Sequence, residues 1–119
     1  MDGFIYIGKN LKRPDAISKV TGKAIFLDDI KIPNMLYASI LTPTYAHAKI
    51  LSIDTSEAEK SEGVVKVVTG KNCKFTYGDC IRDRYPMATD KVRYIGEPVA
   101  AVIADTSFHA KQAIKKIKV

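Results

Sequence analysis

The chain has 119 residues, 46% of them apolar and 27% charged, with a formal charge of +6. That length suits one domain, 1–119, and is enough to bury a hydrophobic core, while the apolar content excludes wholesale disorder. The longest uncharged apolar run, 98–104, is far short of the roughly 20 residues a membrane span needs, so no membrane partner is expected.

In chain order, Met1-Asp2-Gly3-Phe4-Ile5 lacks the basic start and apolar core of a secretion signal. Residues 8–13 read as extended, because Pro14 disfavours helix at the residue before it. Residues 23–27 read as a short strand entered through Thr21-Gly22, and 28–34 as a turn-rich connection with its turn at Pro33-Asn34. Residues 35–42 are apolar at nearly every position, which predicts a strand covered on both faces. Pro43 ends it. Residues 48–54 predict another strand, and Asp54-Thr55-Ser56 with Glu57 and Glu59 predict a short helix that stops near Gly63.

The β-branched run 64–69 predicts a strand. Residues 73–88, with Gly78 and Pro86, are the least regular stretch and read as a loop. Residues 91–95 and 98–104 read as strands parted by a turn or bulge at Gly96-Glu97-Pro98. Thr106 is placed to cap a last helix whose Ala110, Ala113, Ile114 and Ile117 form one apolar stripe. Ala110, Ala113 and Ile114 are expected to be buried, with Lys111 and Lys115 facing solvent. Strands and helices are mixed without strict alternation, so the fold class is α+β.

Little in the sequence resembles catalytic equipment. His47 and His109 are the only imidazoles and have no companion at ligand spacing, so each reads as structural. Cys73 and Cys80 are separated by more residues than metal clips use, and both are expected as free thiols in a reducing cytoplasm. Gly63, Gly70 and Gly78 are too far apart for a phosphate cradle. Asp28-Asp29 and the Asp79, Asp83 pair fit no calcium loop. The basic residues are scattered, apart from Lys111, Lys115, Lys116 and Lys118 near the C-terminus. No nucleic-acid recognition motif accompanies them.

Four stretches taken together carry a resemblance. The first joins Arg13-Pro14-Asp15, Lys19-Val20-Thr21-Gly22-Lys23-Ala24 and Asp28-Asp29-Ile30. The second joins Tyr45-Ala46-His47-Ala48-Lys49-Ile50 and Ser52-Ile53-Asp54-Thr55-Ser56-Glu57-Ala58. The third is Gly63-Val64-Val65 with Val68-Thr69-Gly70, and the fourth runs over 88–106 through Tyr94-Ile95-Gly96-Glu97-Pro98-Val99-Ala100. In order and spacing they resemble the N-terminal domain of the molybdenum-binding large subunit of the xanthine dehydrogenase and aldehyde oxidase family.

The resemblance implies an α/β-hammerhead, a small mixed β-sheet with two helices and a protruding strand pair. It also implies a parent enzyme that hydroxylates a heterocycle or aldehyde with oxygen from water. The molybdenum-pterin cofactor would lie in the rest of that chain, and iron–sulfur clusters and FAD in partner domains or subunits. The family's pterin-binding and catalytic segments have no counterpart here, so no catalytic, cofactor-binding or metal residue is assigned.

Residues 117–119 resemble the start of a further strand, which implies a piece of a longer chain. Residues 73–86 depart most from the family pattern. The expected role is structural and assembly-related, with Gly96-Glu97-Pro98 and residues 45–49 as candidate contacts. A different class is also open, a freestanding basic module using the Lys-rich helix against nucleic acid or another polyanion.

Overall fold

The computed structural model describes residues 3–119, so Met1-Asp2 lie outside the described residues. The chain divides into two units, one ending at Pro33 and the other spanning Asn34–Val119. In the first, a single turn of helix, α1 (Ala16–Val20), is followed by a 3-10 turn, Leu27–Asp29. Polar side chains set α1. The Asp15 carboxylate accepts two hydrogen bonds from the Arg13 guanidinium, at 3.1 and 2.9 Å, and pairs with Lys19 Nζ one turn on, at 2.6 Å. Thr21 Oγ1 donates to the Ile17 carbonyl at 2.6 Å, closing the last turn. Asp29 accepts from the Phe26 backbone N–H at 3.0 Å and so sets the 3-10 turn.

Two expectations fail in this unit. Residues 23–27 pair with no strand among the described residues, and part of the 8–13 stretch begins in a turn closed by Lys9 N–H donating to the Tyr6 carbonyl. A strand needs a neighbouring ladder, and β-propensity alone does not supply one. None of the described residues 3–33 is buried.

The second unit opens at the expected turn, with Asn34 at φ +62. Its elements are β1 (Tyr37–Leu41), β2 (Ala48–Lys49), α2 (Ser56–Glu59), β3 (Val64–Thr69), β4 (Lys91–Val92), β5 (Ala100–Ala104) and α3 (Ser107–Ala113), closed by a 3-10 turn at Ile114–Lys116. One sheet has the order β1-β5-β3 and a smaller one pairs β2 with β4. Every strand pair is antiparallel, with Tyr37 opposite Ala104, Thr69 opposite Ala100 and Ala48 opposite Val92. This small α+β architecture matches the expected hammerhead class, but its strands form two antiparallel sheets where one mixed sheet is expected, and α1 adds a third helix to the two expected.

The strand covered on both faces is β5, not β1. Four of its five residues are buried, whereas β1 lies at the edge and alternates half-buried with exposed, leaving Ile40 58% exposed. An apolar run does not report whether a strand is central or at an edge. On β3 the register slips between Val64 and Lys66, a bulge that leaves Val65 and Lys66 both outside.

Alanine sets the spacing of the core. Ala58 on α2 and Ala110 and Ala113 on α3 are buried, as are Ala100 and Ala104 on β5, and methyl groups let helix and strand backbones approach closely. Ala58, Ala100 and Ala113 form one cluster with Val67, Val102 and Ile117, with Ile114 packed partly against it. Lys111 and Lys115 face solvent, as expected. Ala88, Val92 and Val99 form a second cluster, and Ile53 packs against both.

The helix ends follow their caps. Thr106 Oγ1 accepts from His109 N–H at 3.1 Å, and Asp54 Oδ1 accepts from the Ser56 N–H and hydroxyl. Asp54 and Lys118 exchange two backbone hydrogen bonds, so the residues expected to begin a strand form an antiparallel bridge. No helix among the described residues is long and apolar enough to cross a membrane.

Candidate functional site

The predicted break between β4 and β5 is a tight turn, Tyr94 to Glu97, with Gly96 at φ +89, where side-chain-bearing residues are strained. Glu97 holds it. Its carboxylate accepts from the Arg93 backbone N–H and, at 3.1 Å, from the Arg93 guanidinium, which also reaches Asp90 at 3.4 Å. The Glu97 side chain is only 12% exposed, so this pair is more sheltered than an ordinary surface bridge. Gly96 N–H donates to the Pro43 carbonyl at 3.3 Å, which ties the turn to the segment after β1.

The irregular stretch predicted as a loop comes up beside this turn. Asn72 anchors its start, with Oδ1 accepting from Thr69 N–H at 2.6 Å. Tyr77 and Arg84 then exchange backbone hydrogen bonds at 2.8 and 3.2 Å, closing residues 77–84 into a small hairpin. Loop and turn together line a hollow of about 470 Å³ with Tyr77, Asp83, Arg84, Tyr85, Arg93, Tyr94 and Glu97. Three phenol rings and two guanidiniums offer stacking and hydrogen bonds, a recognition surface. The Glu97 carboxylate is committed to Arg93, and the hollow contains no thiol or imidazole. Sequence reasoning named the two halves separately and missed their juxtaposition, because no local signal reports a contact between residues so far apart in the chain.

A second cluster lies at the start of α3. His109 Nδ1 and Asp105 Oδ1 are 2.6 Å apart, and His109 beside Asp105 holds that carboxyl below the usual aspartate range. Gly63, at φ +72, leaves the space they occupy, since a Cβ there would collide with both side chains. The sequence reads His109 as structural, without a partner. It is half-buried and hydrogen-bonded to Asp105, a structural role within the fold.

The remaining flagged residues do not converge. His47 and Cys80 are exposed, Cys73 is half-buried, and the two thiols are free. Of the Asp28-Asp29 pair only Asp29 makes the capping bond described above. Asp83 lines the hollow, whereas Asp79 does not. In the basic cluster, Lys116 Nζ donates to Ser61 Oγ at 2.9 Å and Lys118 Nζ lies 3.4 Å from Glu57, so half of it is spent on the α2 region. Residues 45–49 are mostly exposed, with Tyr45 beside a shallow apolar hollow that includes Val99 and Ile117.

Comparison with known proteins adds an independent line. Residues 21–119 match the family model described as aldehyde oxidase and xanthine dehydrogenase, a/b hammerhead domain. The chain is 42% identical over 109 residues to a probable xanthine dehydrogenase subunit of Bacillus subtilis (strain 168), covering 90% of this chain and 15% of that one. Among solved structures, a Cu,Mo-CO dehydrogenase superimposes with a TM-score of 0.85 at 33% identity, over 93% of this chain and 15% of its own. The aldehyde oxidoreductase of Desulfovibrio desulfuricans ATCC 27774 does so with 0.81 at 35% identity, over 93% and 14%. The chain thus spans about one-seventh of the length of these relatives.

Proposed function

The chain belongs to the aldehyde oxidase and xanthine dehydrogenase family through its a/b hammerhead domain, and from that premise we propose that it is the N-terminal structural and assembly domain of a molybdenum hydroxylase large subunit. The supporting observation is agreement between sequence and shape: identity near 40% with a subunit named for xanthine dehydrogenase, and a backbone that superimposes on a molybdenum enzyme. The parent protein, working in the cytoplasm, would hydroxylate a heterocycle or an aldehyde with oxygen taken from water. Its partners would be the rest of the molybdenum-binding chain and iron–sulfur and FAD domains or subunits.

Among the described residues no three His, Cys, Asp or Glu side chains gather into a ligand set, and the sheltered Glu97 is committed to Arg93. We propose that no step of the reaction falls to these residues and that the domain is a scaffold inactive by itself. Neither fold nor comparisons add support to the polyanion-binding alternative, whose lysines are half engaged within the domain.

The test expresses the 119-residue chain and the complete reading frame side by side and measures molybdenum by elemental analysis. The short chain should contain none in stoichiometric amount, and the long one about one per chain. About one molybdenum per 119-residue chain would overturn the scaffold reading.

A further inference from the structure

Residues 3–33 combine defined local structure with the absence of any buried side chain among the described residues. In α1 the polar groups satisfy one another: Asp15 takes up both Arg13 and Lys19, and Thr21 bonds back to Ile17. The apolar side chains are left outside. Ile17 and Val20, one turn apart on one stripe, are 73% and 83% exposed, and Ile5, Ile7, Ile25 and Leu27 are similarly bare. Several large apolar side chains left bare on one short segment mark a surface that a partner covers. The polar ties are what a docking element needs, because they fix its shape before contact and leave the apolar stripe free for it.

We propose that residues 3–33 are a docking strap whose apolar stripe, centred on Ile17 and Val20, seats on the remainder of its own polypeptide rather than on a separate subunit. The proposal rests on the family reading above. The occupant follows from length and connection: this chain spans only 15% of its Bacillus relative, so most of such a protein lies elsewhere in the same polypeptide. A covalently joined surface is present at high effective concentration, so a segment without a core of its own can be held there. Charge narrows the surface further. Residues 3–33 carry six basic and three acidic side chains, so the receiving face should be apolar with an acidic rim.

Amide hydrogen exchange tests this on the complete polypeptide, purified without partner subunits, beside the 119-residue chain. The hydrogen-bonded amides of Lys19, Thr21, Lys23 and Ala24 should exchange at least about tenfold more slowly in the complete polypeptide. Ile17→Asp with Val20→Asp in that polypeptide should abolish the difference while its circular dichroism stays unchanged. If the double variant fails to fold, Ile17→Ala with Val20→Ala should reduce it severalfold. Protection that survives the folded variants overturns the proposal.

Protection that appears only after iron–sulfur or FAD subunits are added also overturns it, by assigning the stripe to a partner. Protection in the 119-residue chain overturns it as well, pointing to a second copy if it grows with concentration and to residues 34–119 if it does not. A complete polypeptide that holds molybdenum yet leaves these amides fast overturns the strap and leaves the family reading standing. A reading frame that ends at Val119 overturns both.

Discussion

Residues 3–33 and 34–119 are held by different physics. In the first, each defined turn rests on a polar tie between near neighbours: Arg13 and Lys19 on Asp15, Thr21 on Ile17, and Asp29 on Phe26. In the second, α2 is one residue shorter than α1 and α3 only two longer, yet their alanines Ala58, Ala110 and Ala113 are enclosed beside the three-stranded sheet. Exposed ion pairs contribute little, about 0–1 kcal/mol each, whereas enclosing a valine or isoleucine such as those packed around these alanines contributes about 1.5–3 kcal/mol. Short helices of similar length can therefore be the base of a fold or an appendage to it. What decides is whether a neighbour covers the apolar side.

The largest break in the comparison should come at Val102, which is 0% exposed at the centre of β5. Val102→Ala in the 119-residue protein is expected to cost about 2–4 kcal/mol by chemical denaturation, from lost transfer energy and the cavity left behind. Next comes Gly63→Ala. The left-handed backbone there and the collision of a new Cβ with Asp105 and His109 should together cost about 1–3 kcal/mol. A thermal melt unchanged by that substitution would mean that the His109–Asp105 pair moves aside freely.

That pair also sharpens the comparison through pH. His109 beside Asp105 lowers the folded-state pKa of the carboxyl, so the unfolded chain binds the proton more readily. The resulting stabilisation is present above the ordinary aspartate value, near 4, and is lost as pH falls through the depressed folded value. Asp105→Asn should remove this contribution at neutral pH and flatten the acid limb of the stability curve. Denaturant midpoints taken from pH 7 down to pH 2 would show it. Asp15 behaves in the same sense, since Arg13 and Lys19 lower it, but in a unit that carries no core.

How much was legible follows from the same division. The Thr106 cap, the apolar stripe of α3, the Gly96-Glu97-Pro98 turn and the Asn34 turn are local patterns, and the structure contains them. The central position of β5 was not legible. Residues 35–42 and 98–104 are about equally apolar, and only the strand order β1-β5-β3 distinguishes them. The hollow between residues 77–85 and 93–97 was hidden for a related reason: Tyr77 and Arg84 pair through backbone groups that every sequence has. Residues 23–27 misled in the opposite direction, since a strand-like composition found no ladder to join.

The smallest expected effect is the most discriminating. Ile17 and Ile114 are both isoleucines on short helical turns, but the sequence places only Ile114 on an apolar helical stripe and does not anticipate α1. Ile114 packs against the cluster of Ala58, Val102 and Ala113, whereas Ile17 stands largely exposed. Truncating Ile114 to Ala should cost about 1–3 kcal/mol, less than a fully buried isoleucine because it is only partly enclosed. Truncating Ile17 to Ala in the 119-residue protein should shift stability by no more than about 0.5 kcal/mol, as substitutions at exposed positions do. Lys115→Ala, on the solvent side of the last helical turns, serves as the surface reference and should match Ile17→Ala. Denaturation of the three variants under one condition reads the comparison directly. A cost at Ile17 near that at Ile114 would place the first unit inside the core of the 119-residue chain. A cost near that at Lys115 means the apolar side of α1 contributes nothing to folding at this length.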